Sequence, residues 1–321
     1  MTVVVALGIV GLAIAVLGFL ARGPIVVRPP SGFERRTVSP ERLEETVRTL
    51  CERFAPRWYS TPDTLDRAAA WIGGGFREAG LEVSEQTYTV AEGVYRNVIA
   101  VRRGSAPDRG AVIVGAHYDA YGELPGADDN ASGVAVLLEL ARTLPERQPL
   151  RTQFFVAFSN EEPPFFATPD MGSYHFARRL ADDDTKIDLM IALDAVGYFS
   201  DDPGSQKVPS PLLRLFYPSR GDFIGVVGDM GSGRDIGRVK RGMRSAHALP
   251  VLSFRGPTFV PGVDWSDHYW FRKLGLPGVL VTDTAMMRSP HYHRRSDTPE
   301  TLDYARMAAV VQALHGVLQD E

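Results

Sequence analysis

Four short apolar runs constrain this chain more than anything else in it. Ala111–Ala116 (AVIVGA), Gln153–Phe158 (QFFVAF), Leu189–Leu193 (LMIAL) and Gly278–Val281 (GVLV) are strand-length, almost free of polar residues and separated by longer stretches with helical character. A strand apolar on both faces must be covered on both faces, and alternation of such strands with helices implies a largely parallel sheet sandwiched between helices. Each run also delivers candidate metal ligands at or soon after its end. His117-Tyr118-Asp119 follows the first, Glu161-Glu162 the second, Asp194 the third, and His291-Tyr292-His293 comes after a loop beyond the fourth. Open α/β sheets bind ligands at the carboxyl ends of their strands, so two histidines and several carboxylates would converge on one edge.

The rest of the chain fits this frame. Ser39-Pro40 opens a helical stretch, with serine as N-cap and proline in its first turn. A second helix is expected from Asp63 to Ala79, stopped by Gly80, followed by extended segments at Glu82–Val90 and Tyr95–Arg102. A single α/β domain over 39–321 is the economical reading, preceded by a linker, 22–38, with three prolines and two glycines. Residues 1–21 (MTVVVALGIVGLAIAVLGFLA) carry no charge, and about twenty helical residues span roughly 30 Å of hydrocarbon. No basic residue precedes the run, and Phe19-Leu20-Ala21 is a poor cleavage site. A single-pass transmembrane anchor in the lipid bilayer is therefore expected rather than a cleaved signal peptide. Arg22, Arg28, Arg35 and Arg36 would favour a cytoplasmic body, but large domains translocate regardless of flanking charge. The side stays open, with an extracytoplasmic catalytic domain as the working expectation.

Composition matters by what it excludes. With 35 basic against 39 acidic residues there is no broad cationic face for nucleic acid, and the single Cys51 supports neither an internal disulfide nor a cysteine-based zinc site.

The segment Pro125-Gly126-Ala127-Asp128-Asp129-Asn130-Ala131-Ser132-Gly133, just before a helix expected over Val134–Thr143, reads in isolation as a turn and helix cap. Its company changes that. His117-x-Asp119, PGADDNASG, Asn160-Glu161-Glu162, Leu193-Asp194, Ser266-Asp267-His268 and His293-x3-Asp297-Thr298 form an ordered set in which the chain resembles the M28 family of co-catalytic zinc aminopeptidases over about residues 40–318. The resemblance implies a zinc exopeptidase-like fold, a peptide substrate with a free amino terminus and two Zn2+ per chain, with Co2+ or Mn2+ as possible substitutes. The family's spacing of twelve residues from the first histidine falls on Asp129 rather than Asp128. His117 and Asp194 are then assigned to one ion, Glu162 and His293 to the other, with Asp129 bridging.

Such a cage has a physical rationale. Two divalent ions about 3.5–4 Å apart need a shared anion, and a water held between them becomes a nucleophile near neutral pH. The residues alone do not say which of Glu161 and Glu162 is general base and which is ligand; the family order makes Glu161 the base. Neighbouring strand residues face opposite ways, so the Asn160–Pro164 stretch must leave strand geometry for both to point inward. Asp119 is expected to orient His117. Asp267 resembles an aspartate of the network around the base in the related glutaminyl cyclases, or else caps the helix His268–Leu274. Tyr292 sits where some family members place an oxyanion-stabilising tyrosine. The resemblance also fixes His293 over His291; nothing else in the sequence converges on His175, His247, His268 and His315, which are read as surface or packing residues. One departure stands out: Pro163–Met171 separates the Glu pair from Gly172-Ser173, which follow it closely in simpler members, so the insertion is expected to reshape the specificity pocket. The rival readings are a glutaminyl cyclase-like acyltransferase with one zinc, and a non-catalytic binding ectodomain.

Overall fold

The computed structural model describes residues 33–319 except Glu92, together with Gly18. The apolar run 1–21 therefore lies outside the described residues, Gly18 apart, as does most of the 22–38 linker. Among the described residues no helix is long and apolar enough to cross a membrane.

Eight strands form one mixed sheet: β1 (Glu82–Val90), β2 (Gly93–Arg102), β3 (Ala111–His117), β4 (Gln153–Phe158), β5 (Ile187–Leu193), β6 (Ile224–Asp229), β7 (Val251–Gly256) and β8 (Val279–Thr282). Their order is β1-β2-β4-β3-β5-β8-β6-β7. The centre, β4-β3-β5-β8, is parallel throughout; β1 with β2, β2 with β4 and β6 with β8 pair antiparallel, and β6 with β7 parallel. All four apolar runs became the central parallel strands, within two residues of their expected bounds.

Period-two alternation sorts the strand side chains between two cores. On β3, Val112, Val114 and Ala116 join one cluster and Ile113 the other; on β5, Leu189, Ile191 and Leu193 oppose Met190 and Ala192. The larger core is covered by α1 (Pro40–Arg48), α2 (Pro62–Glu78), α3 (Gly133–Arg142), α5 (Gly233–Ser245) and α7 (Tyr304–Gln319). The smaller lies under α4 (Gly172–Asp182) and α6 (His268–Lys273).

α1 starts as its sequence dictates, with the Ser39 hydroxyl accepting a hydrogen bond from the Arg42 amide at 3.1 Å. It is pinned by the buried Glu139 of α3, which accepts from Arg42 Nε at 2.9 Å and from the Ser39 amide at 3.0 Å. The end of the linker is also tied down: the Glu34 amide donates to Gln319 Oε1 at 3.1 Å and the Arg36 amide to Gln312 Oε1 at 3.2 Å, both on α7.

Candidate metal centre

Strand order reverses at β3: β4 lies on one side of it, β5 and β8 on the other. The crevice at the carboxyl ends of these strands is where an open α/β sheet receives ligands. His117 is the last residue of β3, Asp194 follows β5 directly, and Glu161-Glu162 follow β4 after two residues.

The loop Gly126–Ser132 brings Asp129 between them. Gly126 takes φ +59, and a Cβ there would meet the Asp129 carbonyl at 2.5 Å, so only glycine fits. Asp129 aims its two oxygens at two histidines: Oδ1 lies 3.4 Å from His117 Nε2, and Oδ2 lies 3.0 Å from His293 Nε2. Asp194 Oδ2 is 3.6 Å from His117 Nε2, and Glu162 Oε2 is 3.4 Å from His293 Nε2. Two three-residue groups result, His117–Asp129–Asp194 and Asp129–Glu162–His293, with the ligand atoms of each within 4.8 Å of one another. They share Asp129. Asp128 is turned away, accepting from the Gly197 amide at 2.9 Å, and His291 bonds Ser296 at 3.0 Å instead.

Two buried carboxylates hold the backbone behind these ligands. Asp119 accepts from the amides of Glu161 (3.2 Å, Oδ1) and Glu162 (3.1 Å, Oδ2), while its Oδ1 stands 3.4 Å from His117 Nδ1. The clamp, with Asn160 at φ +60, is how adjacent glutamates both face inward. Asp119 thus does more than orient the imidazole. Asp297 mirrors it, accepting from the amides of Asp128 (2.9 Å) and Asp129 (3.2 Å). Asn130 completes the frame, donating to the Leu193 carbonyl at 2.9 Å beside Asp194.

The charge balance asks for cations. Burial raises Glu162 to about 8 and lifts Glu161 well above the carboxylate range, with neighbouring carboxylates adding to both. Burial alone would lower His293, but Asp129 and Glu162 outweigh it and raise it to about 10. His117 Nε2, His293 Nε2 and Glu162 Oε1 are buried with no hydrogen-bond partner among the described residues. Buried polar atoms are normally satisfied, and a mixed nitrogen and oxygen donor set suits divalent zinc, so the residues fit the pair of ions.

Glu161 stands beside the two groups, its Oε2 3.8 Å from His117 Nε2. Asp267 occupies the N-cap position of α6 but makes no capping bond; both its oxygens are buried and unpartnered among the described residues, and burial pushes its pKa up to about 7. Tyr292 lies half-buried against His293, ring centroids 4.0 Å apart, and burial among carboxylates keeps its phenol protonated. His268 and His315 are buried and engage Val263 and Thr143; His175 stacks on Tyr88.

Three features escaped the sequence reading. Tyr121 stacks on the other face of His293 at 4.5 Å and 6°, so the imidazole is held between two tyrosines. Arg57 is fully buried and donates to the carbonyls of Leu50 (2.7 Å), Tyr118 (2.8 Å) and Gly126 (2.8 Å), locking the loops that carry Asp119 and Asp129. An apolar cavity opens beside Asp194 and Tyr292, walled by Leu213, Tyr217, Phe254, Leu280 and Trp265. None of the Pro163–Met171 insertion lines this cavity: Phe165 packs against Tyr59 and Tyr95, and the Thr168 carbonyl accepts from Trp270 Nε1 at 2.8 Å.

Residues 97–219 match the model of peptidase family M28. An uncharacterized Escherichia coli protein, YfbL, is 42% identical over 287 residues, covering 87% of each chain. The chain belongs to peptidase family M28. As a member it is a hydrolase acting on peptide bonds. The M28 fold is also that of a Bacillus subtilis zinc aminopeptidase (TM-score 0.69, 16% identity, 88% of this chain and 95% of that one) and of Fimbriiglobus ruber glutaminyl cyclase (TM-score 0.70, 22% identity, 92% and 100%). Overall shape therefore does not separate the two activities.

Proposed function

We propose that this chain is an aminopeptidase using two zinc ions, and the shared Asp129 carries the reading. A carboxylate with one oxygen directed at each of two ligand groups is what a pair of cations requires. His117, Asp194 and Asp129 would hold one ion; Glu162, His293 and Asp129 the other. The similarity of the fold to a zinc aminopeptidase supports zinc, and Co2+ or Mn2+ could occupy the same donor set. Bound there, the ions supply Lewis acidity toward a carbonyl and make water acidic enough to deprotonate near neutral pH.

The chain's own groups do the rest. Glu161 takes the proton of the attacking water and returns it to the leaving amine. Burial raises its proton affinity, which suits that exchange. Asp119 fixes the peptide from which Glu161 and Glu162 project, and Tyr292, kept protonated, offers a hydrogen bond to a developing oxyanion. Asp267 faces the same region as an unpaired buried carboxyl and contributes to the field around the base. The apolar cavity beside Asp194 receives the side chain of the amino-terminal residue, favouring bulky apolar ones. Residues 1–21 anchor the enzyme in the bilayer.

Glu161→Gln tests the assignment. Turnover of aminoacyl fluorogenic substrates should fall roughly 10²–10⁴-fold with two zinc ions still bound per chain. Metal loss in this variant, with full retention in Glu162→Gln, would reverse the roles. The rival reading, a glutaminyl cyclase, draws on the equally similar cyclase fold; about one zinc per chain and cyclisation of an N-terminal glutamine would favour it.

A further inference from the structure

Four exposed large apolar side chains, Leu212, Leu215, Phe259 and Trp265, gather around the rim of the apolar cavity. On one side runs Lys207–Arg220, whose Leu213 and Tyr217 turn into the cavity. The same segment turns Leu212 and Leu215 outward, Leu215 being 68% exposed. Across the opening, the loop after β7 contributes Pro261, Gly262 and Trp265 to the wall and leaves Phe259 85% exposed; Trp265 itself is 42% exposed. Apolar side chains this large are rarely left in water around one opening without a partner.

Charge narrows the choice of partner. The chain as a whole is acidic, at −4, yet no aspartate or glutamate occurs between Pro203 and Gly221, where Lys207, Arg214 and Arg220 are all exposed. Leucines and aromatics interspersed with cations and free of acids are the chemistry of an interfacial segment on anionic lipid. A further observation puts one residue of the apolar run at this face. Gly18, the one described residue of the run, is buried, and a Cβ there would meet the ring of Phe216 on the same segment.

We infer that this rim docks on an anionic lipid bilayer, so that the apolar cavity opens onto the membrane surface. Peptides lying in the interface would then reach the cavity without crossing bulk water. The inference shares with the proposed function the reading of residues 1–21 as an anchor, and the test separates the two.

The full chain is mixed with vesicles of phosphatidylglycerol and phosphatidylcholine, with or without brominated acyl chains. Flotation reports the anchor, and tryptophan emission reports the rim. The emission that Trp265→Phe removes should be strongly quenched by the brominated lipid, and less so when phosphatidylglycerol is omitted. Leu215→Glu and Phe259→Glu should abolish that quenching, while flotation and turnover of a small soluble substrate stay unchanged. Flotation with Trp265 unquenched leaves the anchor reading intact and overturns the docking. Failure to float overturns both. Trp265 unquenched, with Phe259→Glu converting a dimer to a monomer, gives the face to a second copy. Trp265 unquenched but shielded from aqueous iodide only when residues 1–21 are present gives it to the chain's own apolar run.

Discussion

Asp119→Asn isolates the clamp behind the two glutamates without changing the shape of the side chain. In the native chain Oδ1 and Oδ2 each accept one backbone amide, at 3.2 and 3.1 Å, and Oδ1 also faces His117 Nδ1. The carboxamide keeps one acceptor. Its NH2 must then oppose the other amide, so one charge-assisted hydrogen bond is lost and one buried N–H is left unpaired. Hydrogen bonds to charged groups contribute roughly 1.5–3 kcal/mol. If that loss falls on the segment holding Glu162, zinc affinity drops about 10- to 100-fold, the range seen when partners of metal ligands are replaced. Competition with a chelating dye reads the affinity, and metal-saturated kinetics read the base. Because Glu161 is held by the same clamp, kcat should remain depressed even at saturating zinc. Full recovery of kcat with zinc would show that Glu161 is positioned independently of Asp119. Unchanged zinc affinity would refute the clamp.

Arg57→Ala leaves three buried carbonyls unpaired, which should cost on the order of 3–5 kcal/mol in urea unfolding, far more than an exposed arginine. Removing residues 1–32 should give a folded domain whose melting temperature changes little, the Gly18 contact with Phe216 being the described one lost. Removing 1–38 should lower it measurably, because the bonds of Glu34 and Arg36 to α7 go too. In the chelated protein, burial raises Asp267 and Asp297 to about 7 and Glu162 to about 8, so the folded state binds protons the unfolded chain releases. Its stability should therefore fall as pH rises from about 4 to 8, and zinc should flatten that slope; a chelated protein that stabilises over the same range contradicts it.

Much of this was legible because strand ends and ligands coincide in the sequence. The runs before His117, Glu161 and Asp194 are apolar on both faces, so a pattern reader finds the strands and the residues immediately following them. The spacing that selects Asp129 came from family likeness; what makes it work is the Gly126 turn and the backbone grip of Asp297, 168 residues further on. Arg57 had no signal, since its three acceptors lie at separations of 7, 61 and 69 residues and a buried arginine runs against expectation from polarity. Tyr121 is exposed and belongs to no periodic element. The strands β6 and β7 were missed individually: β6 is broken by Gly225 and Gly228, and β7 is an edge strand whose burial is uneven. The Asp267 cap was half right, correct in position and wrong in hydrogen bonding.

The strand order divides the molecule in a way that the chain order hides. Every strand up to β5 lies on one side of the β5/β8 seam and every strand from β6 onward on the other, so the sheet is two contiguous blocks joined through three residue pairs, Ile191 with Val279, Ala192 with Leu280 and Leu193 with Val281. The centre straddles that seam. His117, Asp129, Glu161, Glu162 and Asp194 come from the first block; His293, and the Asp297 that steadies Asp129, come from the second. Ions shared through Asp129 would then act as a rivet between the halves, and any opening of the seam would dismantle the centre in the same motion. Resistance to unfolding and possession of a complete active centre are, in this architecture, a single property.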